Sequence, residues 1–270
     1  PTMTVEKNIA AGLKGSRQEK EARVREMVEK FRLQGLEKRL PGQLSGGQQQ
    51  RAALARIMAY EPEMILLDEP FSALDMYLKD QLQRELAEML EDYRGTVIMV
   101  SHNRDEVYRF SEELLVIDQG KIEVAGETKE IFRNPVSREA ARLTGCKNFS
   151  KARRIDAHTA EAEDWGVTLT TRREIPEYTE YIGYRAHDFI PVWNPERTGK
   201  NGADKDDGSP CDMLPFEPES SAELPFEKNY YIKTKVTVCW FVQRERMQEV
   251  EEKGMPDYLA FDEEKLLFLR

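Results

Sequence analysis

Hydrophobic positions along the first half of the chain change period several times, and each change marks an element. Val24, Met27, Val28 and Phe31 recur at the i, i+3, i+4, i+7 spacing of one helix face. They follow Ser16-Arg17-Gln18-Glu19, which has the form of a capping box, and Gln34-Gly35 supplies a C-cap. An alanine-rich stretch over 45–60 predicts a second helix. Met64-Ile65-Leu66-Leu67 is short and continuously apolar, the pattern of a parallel strand covered on both faces. Leu74, Leu78, Leu82, Leu86 and Leu90 stripe a third helix that Gly95 ends. Residues 96–100 and 114–117 predict two more buried strands, and Asp118-Gln119-Gly120-Lys121 a hairpin turn into Ile122-Glu123-Val124. Strands alternating with helices of this length argue an α/β layered core over residues 1–143.

After about Gly145 the period becomes two. Trp165, Val167 and Leu169 alternate, as do Ile232, Thr234, Val236, Val238, Trp240 and Val242, which is the pattern of half-buried strands. Between them, 194–229 is dense in Gly, Pro, Ser and acidic residues and reads as a long loop or mobile insertion. Residues 144–270 are therefore expected to form a small, mostly-β and perhaps barrel-like domain.

Composition narrows the function classes. The 270 residues are 40% apolar and 33% charged, with a net charge of −10. The chain is too apolar for a disordered one, and its acidic balance argues against bulk nucleic-acid binding and against an anionic lipid surface. No apolar run approaches the roughly 18 residues of a membrane helix, and there is no secretory h-region at the start. Cys146, Cys211 and Cys239 lie far apart, which makes neither a disulfide framework nor a zinc site and suits a reducing cytoplasm. The chain opens on Pro1 in a helical context, so a natural N-terminus upstream is expected.

The candidate chemistry begins at Leu44-Ser45-Gly46-Gly47-Gln48-Gln49-Gln50-Arg51. Ser45 and Gln48 have capping-box spacing, and Gly46 and Gly47 strip side chains from the first turn. The N–H groups and the positive helix end then form an anion site. Alone, such a string is an ordinary helix cap. Met64-Ile65-Leu66-Leu67-Asp68-Glu69-Pro70 adds two adjacent carboxylates at a strand's C-terminal end, the edge where open α/β sheets bind ligands.

Together these strings resemble the signature motif and the Walker B strand of ATP-binding cassette (ABC) proteins. Ser72-Ala73-Leu74-Asp75 resembles the D-loop, and His102, after Val100-Ser101, resembles the switch histidine. The resemblance implies ATP and Mg²⁺ as cofactors, with Asp68 holding the metal, Glu69 polarising the attacking water and His102 contacting the γ-phosphate. Ser45, Gly46, Gly47, Gln48, Ser72 and Asp75 would face nucleotide in a head-to-tail dimer. Phosphoryl transfer needs this division of labour, because neutralising charge and orienting water is nearly all the protein supplies.

The family also requires a Gly-x-x-x-x-Gly-Lys-Ser/Thr phosphate loop, and residues 1–270 contain none. Gly12-Leu13-Lys14-Gly15-Ser16 and Gly120-Lys121-Ile122 do not fit, and the glutamine loop is missing too. Thr2-Met3-Thr4-Val5 through Asn8-Ile9 resembles the segment just after that loop. The expectation is a partial P-loop NTPase (ABC ATPase) core with a helical subdomain, inactive as this chain alone. The strands at 97–100 and 114–117 should lack a shared central neighbour, leaving apolar surface uncovered and the first domain weakly stable.

Ile131-Phe132-Arg133-Asn134-Pro135 resembles the end of importer ATPase domains. Thr144-Gly145-Cys146-Lys147-Asn148 resembles a stretch of molybdate and related sulfate or tungstate importers. Trp165-Gly166-Val167-Thr168 and the 182–189 stretch resemble their C-terminal regulatory (MOP/TOBE-like) domain. The implied partners are a second ATPase subunit, transmembrane permease subunits and, indirectly, a periplasmic or lipoprotein substrate-binding protein, at the cytoplasmic face of the membrane. The rival readings are an oxyanion-sensing module without ATPase activity and a soluble ABC protein without a transporter. Cys146 reads as a small buried residue, Arg185 as a salt-bridge former, and His158 and His187 as ordinary.

Overall fold

The computed structural model describes residues 2–72, 76–91, 93–193 and 212–270. Leu74, Asp75 and Cys211, together with 194–211 of the expected insertion, lie outside the described residues. The chain divides into two compact units, Pro1–Asn103 and Arg104–Arg270.

In the first unit the helix α1 (Val5–Ala10) buries Val5 and Ile9. Helix α2 (Arg17–Lys30) starts on the expected capping box, with Ser16 Oγ accepting from the Glu19 N–H and Glu19 accepting from the Ser16 N–H. It ends at Lys30, four residues before the expected cap. Phe31 and Leu33 are both buried, and an α-helix cannot aim positions two apart into one core. The chain therefore leaves the helix through Arg32 at φ 51°, and Gly35 at φ 79° serves the turn beyond. Helix α3 (Gly46–Met58) carries Ser45 as N-cap. Its last carbonyls, Met58 and Ala59, accept from the Arg23 guanidinium of α2, which also pairs with Glu61.

Strand β1 (Met64–Asp68), helix α4 (Met76–Glu91) and strand β2 (Thr96–Val100) form one parallel crossover. The stripe is real where described, since Leu82 and Leu86 are buried. Gly95 follows the helix at a close approach, where a Cβ would lie 2.6 Å from the Glu63 carbonyl oxygen. The strands correct the expectation of coverage on both faces. Ile65 and Leu67 are buried, while Met64 is 51% exposed, Leu66 68%, Ile98 46% and Val100 57%. Paired residues of a parallel ladder share a face, so Leu66 with Ile98 and Asp68 with Val100 lie on the open side. Among the described residues the sheet has two strands.

The second unit opens with α5 (Arg104–Phe110) and the hairpin β3 (Glu113–Asp118)–β4 (Lys121–Glu127), turned by Gln119 and Gly120 at φ 44° and 76°. Both central residues at positive φ make a turn whose twist matches the hairpin. The strand at 114–117 was expected to be buried, but Leu115 and Ile117 are exposed and Val116 is its buried residue, while Ile122 across the hairpin is exposed too. Val116 packs with Ile131 of α6 (Thr128–Arg133) and Ala140 of α7 (Arg138–Leu143). Ala141, the next residue of α7, packs with Cys146, Leu267 and Leu269. Helix α7 thus serves two clusters of one unit, and the boundary expected at 143/144 falls inside that unit.

The rest is mostly β, as expected. β5 (Asn148–Arg154), β6 (Thr159–Ala162), β7 (Val167–Thr170), β8 (Tyr181–Tyr184) and the C-terminal strand β15 (Leu267–Leu269) pair in the order β15-β8-β5-β6-β7. A second sheet joins β9 (Ile190–Val192), β10 (Met213–Pro215) and β14 (Tyr258–Ala260) in the order β10-β14-β9. A third joins β11 (Pro218–Glu223), β12 (Glu227–Lys233) and β13 (Thr237–Gln243). Helix α8 (Arg244–Lys253) follows. Two expectations change here. Residues 213–215, 218–223 and 227–229 of the supposed loop are strand. The alternation from 232 to 242 is a hairpin: Ile232 pairs with Val238, and Thr234–Val236 make the turn. Trp165, Tyr184, Phe189 and Trp240 anchor the shared core.

Candidate functional site

The signature tip is built by the helix cap. Ser45 Oγ accepts from the Gln48 N–H at 3.4 Å, and Gln48 Oε1 accepts from the Ser45 N–H at 3.0 Å. The first-turn N–H groups of Gly46 and Gly47 have no acceptor within the helix. Ser45 and Gly46 are exposed, and a Cβ on Gly46 would meet nothing within 4 Å. Gly47 is buried, so the outward part of the tip is Ser45, Gly46 and the half-buried Gln48. An anion or phosphate can approach such a tip without side-chain obstruction.

The carboxylate pair sits where β1 ends. Asp68 is exposed on the open side of the sheet, and Glu69 follows with φ 45°, a left-handed conformation costly for a non-glycine residue. That turn is fixed from several sides. The Glu69 N–H donates to the Val100 carbonyl at 2.9 Å, and the Glu69 carbonyl accepts from Ser72 Oγ at 3.0 Å and the Ser72 N–H at 3.2 Å. The carboxylate accepts from the His102 N–H at 3.1 Å and lies 2.7 Å from His102 Nδ1. With the proton on Nδ1, Glu69 orients the ring and Nε2 becomes the free nitrogen. His102 is 79% exposed and Glu69 31%, so both are reachable from solvent.

The structure therefore brings Glu69, Ser72 and His102 together and sets Asp68 beside them on β1. Ser72 does structural work here, holding the Glu69 carbonyl. Asp75 lies outside the described residues. A lone hard carboxylate suits Mg²⁺, which keeps several waters and takes its remaining oxygens from substrate phosphates.

Two tethers were not legible in advance. Gln50 Nε2 donates to the Pro70 carbonyl, tying the signature helix to the carboxylate turn. Arg51 meets both Glu85 oxygens of α4 at 3.1 and 3.2 Å, both side chains largely buried, with Gln81 also donating to Glu85. Both residues stand in the signature string, but nothing in their spacing names a partner 20 or 34 positions away.

In the second unit Cys146 is fully buried, its Sγ donating to the Asn148 carbonyl at 3.3 Å, and burial pushes its pKa up to about 11. Arg185 donates to the Phe132 carbonyl rather than to the carboxylate that a salt bridge would need. His158 lies against the Thr171 carbonyl, and His187 against Glu227 at 3.1 Å.

Residues 1–72 match the family model described as ABC transporter. The sulfate/thiosulfate import ATP-binding protein CysA 2 of Chromobacterium violaceum is 40% identical over 202 residues, 72% of this chain and 54% of its own length. An Fe(3+) ions import ATP-binding protein FbpC of Haemophilus influenzae is 39% identical over 175 residues, 64% of this chain and 50% of its own. The putrescine transport ATP-binding protein PotG of Escherichia coli is 42% identical over 151 residues, 55% of this chain and 40% of its own. The chain spans about half the length of the relatives it matches. Over that span it is a homologue of import ATP-binding proteins, with the mixed helices and strands of an ABC-type ATPase fold.

Proposed function

We propose that this chain is part of the ATP-hydrolysing subunit of an ABC importer for a tetrahedral oxyanion, molybdate or sulfate. The observation that carries the reading is the Glu69–His102 contact at 2.7 Å beside Asp68, at the end of a parallel strand, in the same unit as an unobstructed signature tip. Asp68 would hold Mg²⁺, which neutralises charge on the phosphate oxygens when bound. Glu69 accepts a proton or orients water, and His102 fixes the Glu69 carboxylate on one side while its Nε2 faces outward. Ser45, Gly46, Gly47 and Gln48 would serve a partner subunit's nucleotide. No helix among the described residues is long and apolar enough to cross a membrane, so work at the cytoplasmic face would go through permease subunits.

Molybdate is favoured by the resemblance of 144–148 and of the second unit's motifs to such importers, and sulfate by the CysA relative. The buried Cys146 thiol is no ligand in either case. The test has two arms. The subunit purified with its permease should hydrolyse ATP, and Glu69→Gln should cut kcat about a hundredfold or more with little change in KM, the loss of an oriented general base. Titration calorimetry of the same protein with molybdate, tungstate and sulfate separates the oxyanions. ATPase activity untouched by Glu69→Gln refutes the catalytic assignment. A polypeptide of residues 1–270 alone should not hydrolyse ATP, for want of a phosphate-loop sequence among its residues.

A further inference from the structure

Gln50 lies on the first turns of α3, two residues past the capping Gln48, and its side chain leaves the helix for another part of the unit. Its Nε2 donates to the carbonyl of Pro70, the residue that follows Glu69. Pro70 has a fixed φ, so its backbone leaves the carboxylate turn in a set direction, and the Gln50 bond holds the carbonyl that follows. That turn is already immobilised about Glu69: by Val100 at its N–H, Ser72 at its carbonyl and His102 at its carboxylate. The other end of the link is equally rigid. The capping box locks the N-terminus of α3, and the Arg23 guanidinium locks the Met58 and Ala59 carbonyls at its C-terminus. A displacement of the tip must therefore move Pro70, or break one hydrogen bond.

We propose that Gln50 is a positioning residue that couples the signature tip to the catalytic carboxylate turn of the same chain. Its functional consequence rests on the reading given under Proposed function. If the tip grips a partner's nucleotide while Asp68 and Glu69 serve their own, Gln50 carries the state of one ATP site to the other. In this role the residue acts through Pro70 on Glu69.

The first test uses residues 1–270 and no nucleotide. Amide hydrogen exchange is compared in wild type, Gln50→Ala, Gln50→Glu and Gln50→Lys. The glutamate keeps the shape but cannot donate when ionised, and the lysine keeps a donor of similar reach. Exchange at the Glu69 and Ser72 amides should quicken about tenfold in the alanine and glutamate variants and return toward wild type in the lysine variant. The Phe31 and Leu33 amides, held by Met27 and Val28 carbonyls, should not change in any of them. Unchanged Glu69 and Ser72 exchange in Gln50→Ala overturns the link, and so does a uniform rise that includes Phe31 and Leu33.

The second test uses the subunit assembled with its permease. Cooperativity in ATP should fall from a Hill coefficient of roughly 2, the ceiling for two sites, to roughly 1 in Gln50→Ala, with KM within about twofold. A retained Hill coefficient overturns the coupling role while leaving the ATPase reading intact. If Glu69→Gln also changes nothing, it is the ATPase reading that fails, and the exchange result alone judges the link.

Discussion

Strand β1 offers a contrast within a single pair of neighbours. Leu67 is 8% exposed and packs in the apolar space lined by Phe31, Leu54 and Leu86, whereas Leu66 is 68% exposed on the other side of the sheet. Truncating Leu67 to alanine removes buried methyls and leaves a cavity between strand and helices, a loss of roughly 2–5 kcal/mol. Leu66 withdraws only about a third of its surface from water, so of the ~1.5–3 kcal/mol that full burial gives, Leu66→Ala should cost about 0.5–1 kcal/mol. The two units can be followed separately in one urea titration. All three tryptophans, Trp165, Trp193 and Trp240, belong to the second unit, while the longest helices, α2, α3 and α4, belong to the first. Circular dichroism at the helix band should therefore show the first unit's midpoint falling steeply for Leu67→Ala and slightly for Leu66→Ala, with tryptophan fluorescence unmoved by either. The slopes with urea should be equal if only stability has changed. Equal losses at the two positions would refute the reasoning, because they would mean that the Leu66 face is covered.

Other expectations follow from individual groups. Ser45→Ala should cost about 1 kcal/mol of first-unit stability through the lost N-cap, while Ser45→Gly should cost only a few tenths, read by the same titration. Asp212 is raised by burial to about 6 from 3.8, the Thr170 N–H opposing and the Glu263 charge adding. The unfolded carboxyl ionises first as pH rises, so second-unit stability should fall from about pH 4 through about pH 6. Asp212→Asn keeps an acceptor for Thr170, and tryptophan-detected unfolding should find it more stable than wild type above that window and equal to it below. A thiol reagent added to the native protein should label the half-buried Cys239 well before Cys146, whose burial disfavours the thiolate; fast labelling of Cys146 would contradict its packing.

Local signals carried most of the fold. The capping boxes at Ser16 and Ser45, the apolar period of α2 and the Gln119-Gly120 turn each depend on residues within a few positions, and each forms as their chemistry dictates. Errors came where a distant partner decides. Four apolar residues in a row cannot say whether both faces of β1 meet protein, since that depends on what packs against each face. Alternation from Ile232 to Val242 persists through a turn because residues on both sides of it face the same core, which hid a hairpin inside one apparent strand. Helix α7, just before the boundary expected at 143/144, presents adjacent alanines to two clusters, and small residues announce no partner.

The site divides along the same line. Ser45, Asp68, Glu69 and His102 were singled out by the resemblance of their strings to a family's motifs, since each string alone reads as an ordinary helix cap, acidic turn or strand end. What ties this part of the unit together is a set of hydrogen bonds between positions far apart in sequence: Glu69 to His102, Arg51 to Glu85, Gln50 to Pro70. Each uses a polar side chain common on helix surfaces, whose function is invisible until the fold delivers its acceptor. The left-handed turn at Glu69 shows the same dependence. A glutamate has no local preference for φ 45°, and it holds that conformation because the Val100 carbonyl, Ser72 and His102 together outweigh the strain. Arg32 and Gln119 hold the same left-handed region in plain turns, so what sets the turn at Glu69 apart is the exposed Asp68 carboxylate and the His102 contact beside it.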